Sequence, residues 1–185
     1  SSRSVREKFE LTGRVAVITG GAGLLGIRHG EAVAELGGIP VLIDVDENGV
    51  ELVAKQLNEK YGSDAIGLVT DITSTNEVEK LGDKVMGDYG HIDILINNAA
   101  NNTNYSEQSV DHGDWSRLEQ FPMERWLSDL SVGLTGAFLC SRVFGTEMAK
   151  AQQGVILNIG SDLGLIAPDQ RLYRLDGYPQ DKQPV

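Results

Sequence analysis

The sequence predicts an α/β protein of the Rossmann type, a doubly wound parallel sheet between two helical layers (α/β/α). Three observations carry this reading. Short apolar runs rich in Ile, Val and Leu alternate with amphipathic stretches from residue 15 to residue 160. The first run passes directly into the glycine-rich turn Gly20-Gly21-Ala22-Gly23-Leu24-Leu25-Gly26. An acid, Asp44, closes the second run 24 residues after Gly20. Strand–helix alternation implies right-handed crossovers and a parallel sheet, and apolar runs without polar alternation suit strands covered on both faces.

Taken in order, strands are expected at 15–19, 40–44, 65–70, 92–97 and 155–160, with helices at 24–36, 47–61, 74–89 and a long one near 123–150. The glycine turn between the first strand and first helix brings backbone N–H groups and a helix N-terminus together, an arrangement that holds a diphosphate without basic side chains. Asp44 falls where a dinucleotide fold places the acid that binds the adenosine ribose. In the second helix Val50, Val53, Ala54 and Leu57 recur at helical spacing, as do Val78, Leu81, Val85 and Tyr89 in the third, so each presents one apolar stripe to the sheet. The interval 101–121 is polar and aperiodic. It follows the fourth strand, which puts it over the crevice at the strands' C-terminal ends, and it reads either as a substrate-covering loop or as a surface insertion. Trp115, Phe121 and Trp126 fit an anchor for that loop better than a pocket lining.

Composition sets the bounds. A chain of 185 residues buries roughly 70% of its unfolded surface, enough for one substantial core, and no linker or repeat divides it, so one domain is expected. A formal net charge of −11 argues against nucleic acid or anionic membrane as a partner. The lone Cys140 forms no internal disulfide and sits in the apolar setting of a buried, inert thiol. No apolar run of membrane-spanning length is evident and the polar start lacks a signal peptide's core, so a cytoplasmic protein is expected. His29, His91 and His112 have no metal-ligand spacing with acids or Cys140, and no metal is expected.

The set Gly20–Gly26, Asp44, Asp71-Ile72, Asn97-Asn98-Ala99-Ala100 and Asn158-Ile159-Gly160-Ser161 resembles the short-chain dehydrogenase/reductase family over nearly the whole chain. The resemblance implies NAD as cofactor. The turn residues Gly20, Gly23, Leu24, Leu25 and Gly26 would take the diphosphate and Asp44 the ribose. Asp71 would bind the adenine amino group with Ile72 against the ring, and Asn98, Ala99 and Ala100 would pass beside the cofactor. Asn97 would tie neighbouring strands, and Ser161 would hold the substrate's carbonyl or hydroxyl oxygen.

Three departures accompany the resemblance. The classical branch spaces its glycines GxxxGxG, whereas this chain has Leu24 at the fifth position and fits GxxGxxG, the spacing of the extended, sugar-nucleotide branch; the longer Asn97–Ala100 signature speaks for the classical one. In the long helix, Gly133 stands where family members often carry an asparagine. Glycine can kink a helix but supplies no side-chain contacts. The family's acid–base pair is Tyr-x-x-x-Lys on one helix face, and the only such spacing here is Tyr178 and Lys182. Pro179 drives Tyr178 out of helical dihedrals, so the spacing reads as coincidental and 167–185 as a loop before the catalytic helix.

The chain is therefore expected to be the NAD-binding part of a longer short-chain dehydrogenase, lacking the C-terminal catalytic-helix portion and inactive as it stands. The intact protein would transfer hydride between NAD(H) and a small-molecule secondary alcohol or ketone, a sugar derivative suiting the polar loop, and would form a homo-oligomer. The alternatives are a non-catalytic NAD-binding sensor and a sugar-nucleotide epimerase or dehydratase.

Overall fold

The computed structural model describes residues 4–101 and 118–166. Five parallel strands, β1 (Val15–Thr19), β2 (Ile39–Asp44), β3 (Ile66–Val69), β4 (Ile94–Asn97) and β5 (Val155–Asn158), form one sheet in the order β3-β2-β1-β4-β5. Six α-helices are described: α1 (Val5–Phe9), α2 (Leu24–Glu35), α3 (Glu47–Tyr61), α4 (Thr75–Tyr89), α5 (Met123–Leu130) and α6 (Ala137–Ala151). The chain divides into two compact units, one of residues 1–100 and 131–159 and one of residues 101–130 and 160–185. The first holds the whole sheet.

In that unit the strand residues sort by parity. Val15, Val17, Val41, Ile43 and Leu95 pack with α4 (Val78, Leu81, Val85) and α6 (Leu139, Cys140, Phe144, Met148). Ala16, Ile18, Leu42 and Ile96 point the other way, onto α2 (Val33, Ala34) and α3 (Val50, Val53, Ala54, Leu57). The period of two along a strand thus builds two cores from one sheet, and the central β1 is fully enclosed. The helices begin and end where local chemistry dictates. Asp46 and Ser74 accept the amides of Gly49 and Glu77 at the N-termini of α3 and α4. Gly62 and Gly90 close the same helices with φ of +64° and +73°, a conformation that costs glycine little.

The long helix expected at 123–150 is not uniform: α5 and α6 are joined by a π-helical segment, Ser131–Gly136. The helical run Met123–Ala151 has the length and apolarity of a membrane span by length and composition alone, a feature not evident from the run of sequence. Its α6 part buries Leu139, Cys140, Phe144 and Met148 in the core, as a core helix does. β5 is the edge of the described sheet. It lies at the end of the strand order, and among the described residues Val155, Ile156 and Leu157 are left exposed on its faces.

Candidate functional site

The turn after β1 is shaped by what its glycines permit. Gly20 has φ +66°, and a Cβ on Gly26 would stand 2.0 Å from the Gly20 carbonyl oxygen, a distance no side chain survives. Gly21 donates its amide to the Ile43 carbonyl at 2.9 Å, and a Cβ there would meet Leu42 Cβ at 2.7 Å. Gly23 donates to the Gly20 carbonyl at 3.1 Å and caps α2 with no side-chain hydrogen bond. The first amides of a helix lack intrahelical partners, so the N-terminus of α2, with Leu24 and Leu25 exposed on its first turn, keeps donors for an anion.

The ends of the neighbouring strands gather beside it. Asp44, the last residue of β2, accepts the Ala22 amide on Oδ2 at 3.0 Å, and on Oδ1 the amides of Val45 and Asp46 at 2.8 and 3.2 Å. Beyond β3, Asp71 Oδ1 accepts the amide and hydroxyl of Thr73 at 2.9 and 2.7 Å, while the Asp71 amide donates to Glu77 at 2.8 Å. Ile72 is buried, its side chain lying where a Cβ on Gly136 would be 2.6 Å away. At the end of β4 the side-chain Nδ2 of Asn97 donates to Ser141 Oγ (3.0 Å) and Asn158 Oδ1 (2.8 Å), tying β4 to α6 and β5. Asn98 Nδ2 donates to the carbonyls of Thr19 and Gly20 at 3.0 and 3.2 Å. The Ala99 amide donates to the Thr19 hydroxyl at 3.1 Å. Because the strand order reverses between β1 and β4, these residues flank the crevice where open α/β sheets bind ligands.

Ser161 belongs to the other compact unit. It precedes a short 3₁₀ turn, Asp162–Gly164; its hydroxyl lies 3.4 Å from Asp162 Oδ1 and its carbonyl accepts the Gly164 amide. Trp126 is half exposed on α5. Tyr178 and Lys182, Trp115, His112 and most of the interval 101–121 lie outside the described residues. No group of three metal-ligating side chains occurs among the described residues. Burial alone pushes the Cys140 thiol up to about 12, which keeps it protonated and unreactive.

The structure adds residues that sequence reading passed over. Gly21 is more tightly confined than Gly20, though less than Gly26, and only the packing against β2 reveals it. Thr19, almost fully buried, joins β1 to β4 through its hydroxyl. Glu77 was visible in principle: Ser74-Thr75-Asn76-Glu77 has the spacing of a helix-capping box.

A model of the short chain dehydrogenase family matches residues 14–173. The protein belongs to the short-chain dehydrogenase/reductase family. An uncharacterized oxidoreductase of Thermotoga maritima is 36% identical over 82% of this chain and 54% of its own length. The D-threitol dehydrogenase of Mycolicibacterium smegmatis is 30% identical over 91% of this chain and 60% of its own. Among solved structures, an NAD+-bound xylitol dehydrogenase superposes with a TM-score of 0.75 at 28% identity, over 85% of this chain and 56% of that one. The chain thus spans a little over half the length of these relatives.

Proposed function

We propose that this chain is the dinucleotide-binding portion of an NAD-dependent dehydrogenase acting on a polyol or related sugar derivative. The observation that carries the reading is the uncapped α2 N-terminus set between the glycine turn and the Asp44 carboxylate. Its amides suit a diphosphate, the missing Cβ atoms at Gly20 and Gly26 let the turn close tightly on its own backbone and against Asn98 and Ala99, and the carboxylate suits ribose hydroxyls. When bound, the nicotinamide supplies a hydride donor or acceptor. The residues of this chain bind and orient: Asp44 takes the ribose and Asp71 the adenine amino group. Asn98, Ala99 and Ala100 line the passage past β4, and Ser161 holds the substrate oxygen so that the reacting carbon is positioned. A polyol substrate agrees with the activities named for the threitol and xylitol enzymes.

A carboxylate at residue 44 selects NAD(H) over NADP(H), since a 2′-phosphate there meets like charge and neither Val45 nor Asp46 offers a base. Such juxtaposition costs several kcal/mol, or more than about a hundredfold in affinity. The experiment is a titration of both cofactors, followed by a dehydrogenase screen of the full-length protein over polyols and hydroxy acids with a Ser161→Ala variant. NADPH binding as tight as NADH overturns the cofactor assignment. Binding of NADH with no turnover of any polyol would favour a non-catalytic sensor, the reading to which Gly133 at the usual asparagine position lends support.

A further inference from the structure

Asp44 is engaged before any ligand arrives. Two of its three hydrogen bonds are local, from Val45 and Asp46 to Oδ1, and cap the exit of its own strand. The third crosses to a different segment: Oδ2 accepts the amide of Ala22, in the middle of the glycine turn, at 3.0 Å. The neighbouring Gly21 amide makes the parallel crossing to the Ile43 carbonyl at 2.9 Å. Gly21 is pressed on Leu42, and a Cβ at Gly49 would lie 3.1 Å from Ala22 Cβ. The turn therefore rests along the end of β2 and is fastened there by two amides, one of them held by a side chain. A carboxylate offers about four lone-pair positions, and three are occupied by the protein's own amides.

We propose that Asp44 is a positioning residue for the diphosphate turn as well as the acceptor of the ribose, so that one carboxylate couples the choice of dinucleotide to the grip on its diphosphate. This rests on the dinucleotide reading of the site. Truncating residue 44 to admit a 2′-phosphate would release the Ala22 amide and loosen the turn, so NADH binding falls further than the loss of a ribose contact requires. Asparagine is no substitute: its single oxygen serves either the local amides or Ala22, not both.

The test compares Asp44→Ala with Asp46→Ala, which removes a charge close by together with the α3 cap on Gly49 and leaves the crossing bond intact, so any loosening that comes merely from the neighbouring cap appears in it as well. Amide hydrogen exchange of Ala22 is read in the ligand-free full chain, and affinity for inorganic pyrophosphate by titration. A single hydrogen bond predicts that Ala22 exchanges about three- to tenfold faster in Asp44→Ala than in wild type or Asp46→Ala, and that pyrophosphate binds Asp44→Ala weaker than Asp46→Ala by a similar factor. Asp44→Ser, which can restore the local cap but whose oxygen lies nearer the backbone, should behave as the alanine variant does and serves if that variant folds poorly. Unchanged Ala22 exchange in both truncations, or equal pyrophosphate affinity in Asp44→Ala and Asp46→Ala, overturns the proposal. A wild type that shows the exchange pattern yet binds no NADH would sustain the latch and overturn the dinucleotide reading instead.

Discussion

The hydroxyl of Thr19 accepts the amide of Asn98 at 3.0 Å, and the side-chain amide of Asn98 donates back to the Thr19 carbonyl at the same distance. This reciprocal pair clasps the ends of β1 and β4, the two strands between which the sheet order reverses. Neither strand can part from the other there without leaving half-buried donors unpaired. Thr19→Val keeps the shape and removes the acceptor, stranding the amides of Asn98 and Ala99. A loss of about 1–3 kcal/mol is expected in urea unfolding, together with weaker NADH binding, whereas Thr19→Ser should retain most of the stability. Equal stability of the valine and serine variants would refute the clasp.

The glycines of the turn are not equivalent. A Cβ on Gly26 would be 2.0 Å from the Gly20 carbonyl oxygen, but one on Gly23 would be 3.2 Å from the same atom. Gly26→Ala should therefore displace the turn and weaken NADH by more than about tenfold, a cost of the size of a steric rearrangement in a packed site. Gly23→Ala requires a shift of a few tenths of an ångström and should stay within about threefold. A fluorescence titration of NADH ranks them. A larger loss at Gly23 would mean that the turn in solution differs from the one described.

Why some of this was legible in sequence and some was not follows from the kind of signal each feature leaves. β1, β2 and α3 were evident because buried strands and amphipathic helices write their environment into residue type, and Val50, Val53, Ala54 and Leu57 are all buried as their spacing requires. The residue types of β5 do not by themselves mark it as an edge strand, because strand order is a tertiary property and an edge strand can be as apolar as a central one. The π-helical turn at Ser131–Gly136 left no trace beyond Gly133 and Gly136, since one extra residue per turn changes no composition. Gly20, Gly26, Asp44 and Asp71 are candidates that motif and strand-end position single out in the sequence. Thr19 and Gly21 were missed because their roles rest on contacts with residues distant in sequence.

Asp93 lies at the other end of the sheet and gives a pH dependence. Burial pushes its carboxyl up, but the Val15 amide, the Arg14 guanidinium and the Gln153 side-chain amide together outweigh that and hold it below its ordinary value. The partners stand at 3.0, 2.5 and 2.8 Å. A carboxylate whose folded value is depressed contributes stability that is present above its unfolded value, near 3.9, and lost as pH falls through the folded one. Asp93→Asn should thus cost about 1–3 kcal/mol at pH 7, and the gap to wild type should narrow below about pH 4. Urea unfolding at pH 7 and pH 3 measures it; a gap that widens on acidification contradicts the assignment.

The π-helical turn allows a sharper distinction between two glycines three residues apart. Around Gly133 nothing lies within 4 Å of an added Cβ, and its φ is not positive, whereas at Gly136 a Cβ would be driven to 2.6 Å from Ile72 Cδ1 and 2.8 Å from its Cγ1. Gly133→Ala therefore meets no steric barrier and lowers the conformational entropy of the unfolded chain, so stability should rise by about 0.5–1 kcal/mol. Gly136→Ala forces Ile72 out of a filled core, and overpacking of this kind costs about 1–3 kcal/mol. Because Ile72 follows Asp71, the expected contact of the adenine amino group, Gly136→Ala should also weaken NADH while Gly133→Ala leaves its binding unchanged. Thermal unfolding and NADH titration of the two variants decide the matter. If Gly133→Ala destabilises the protein, the turn must hold Gly133 in a conformation closed to other residues. If Gly136→Ala is neutral in both measurements, Ile72 is not wedged against the helix and carries no strain toward the adenine end of the site.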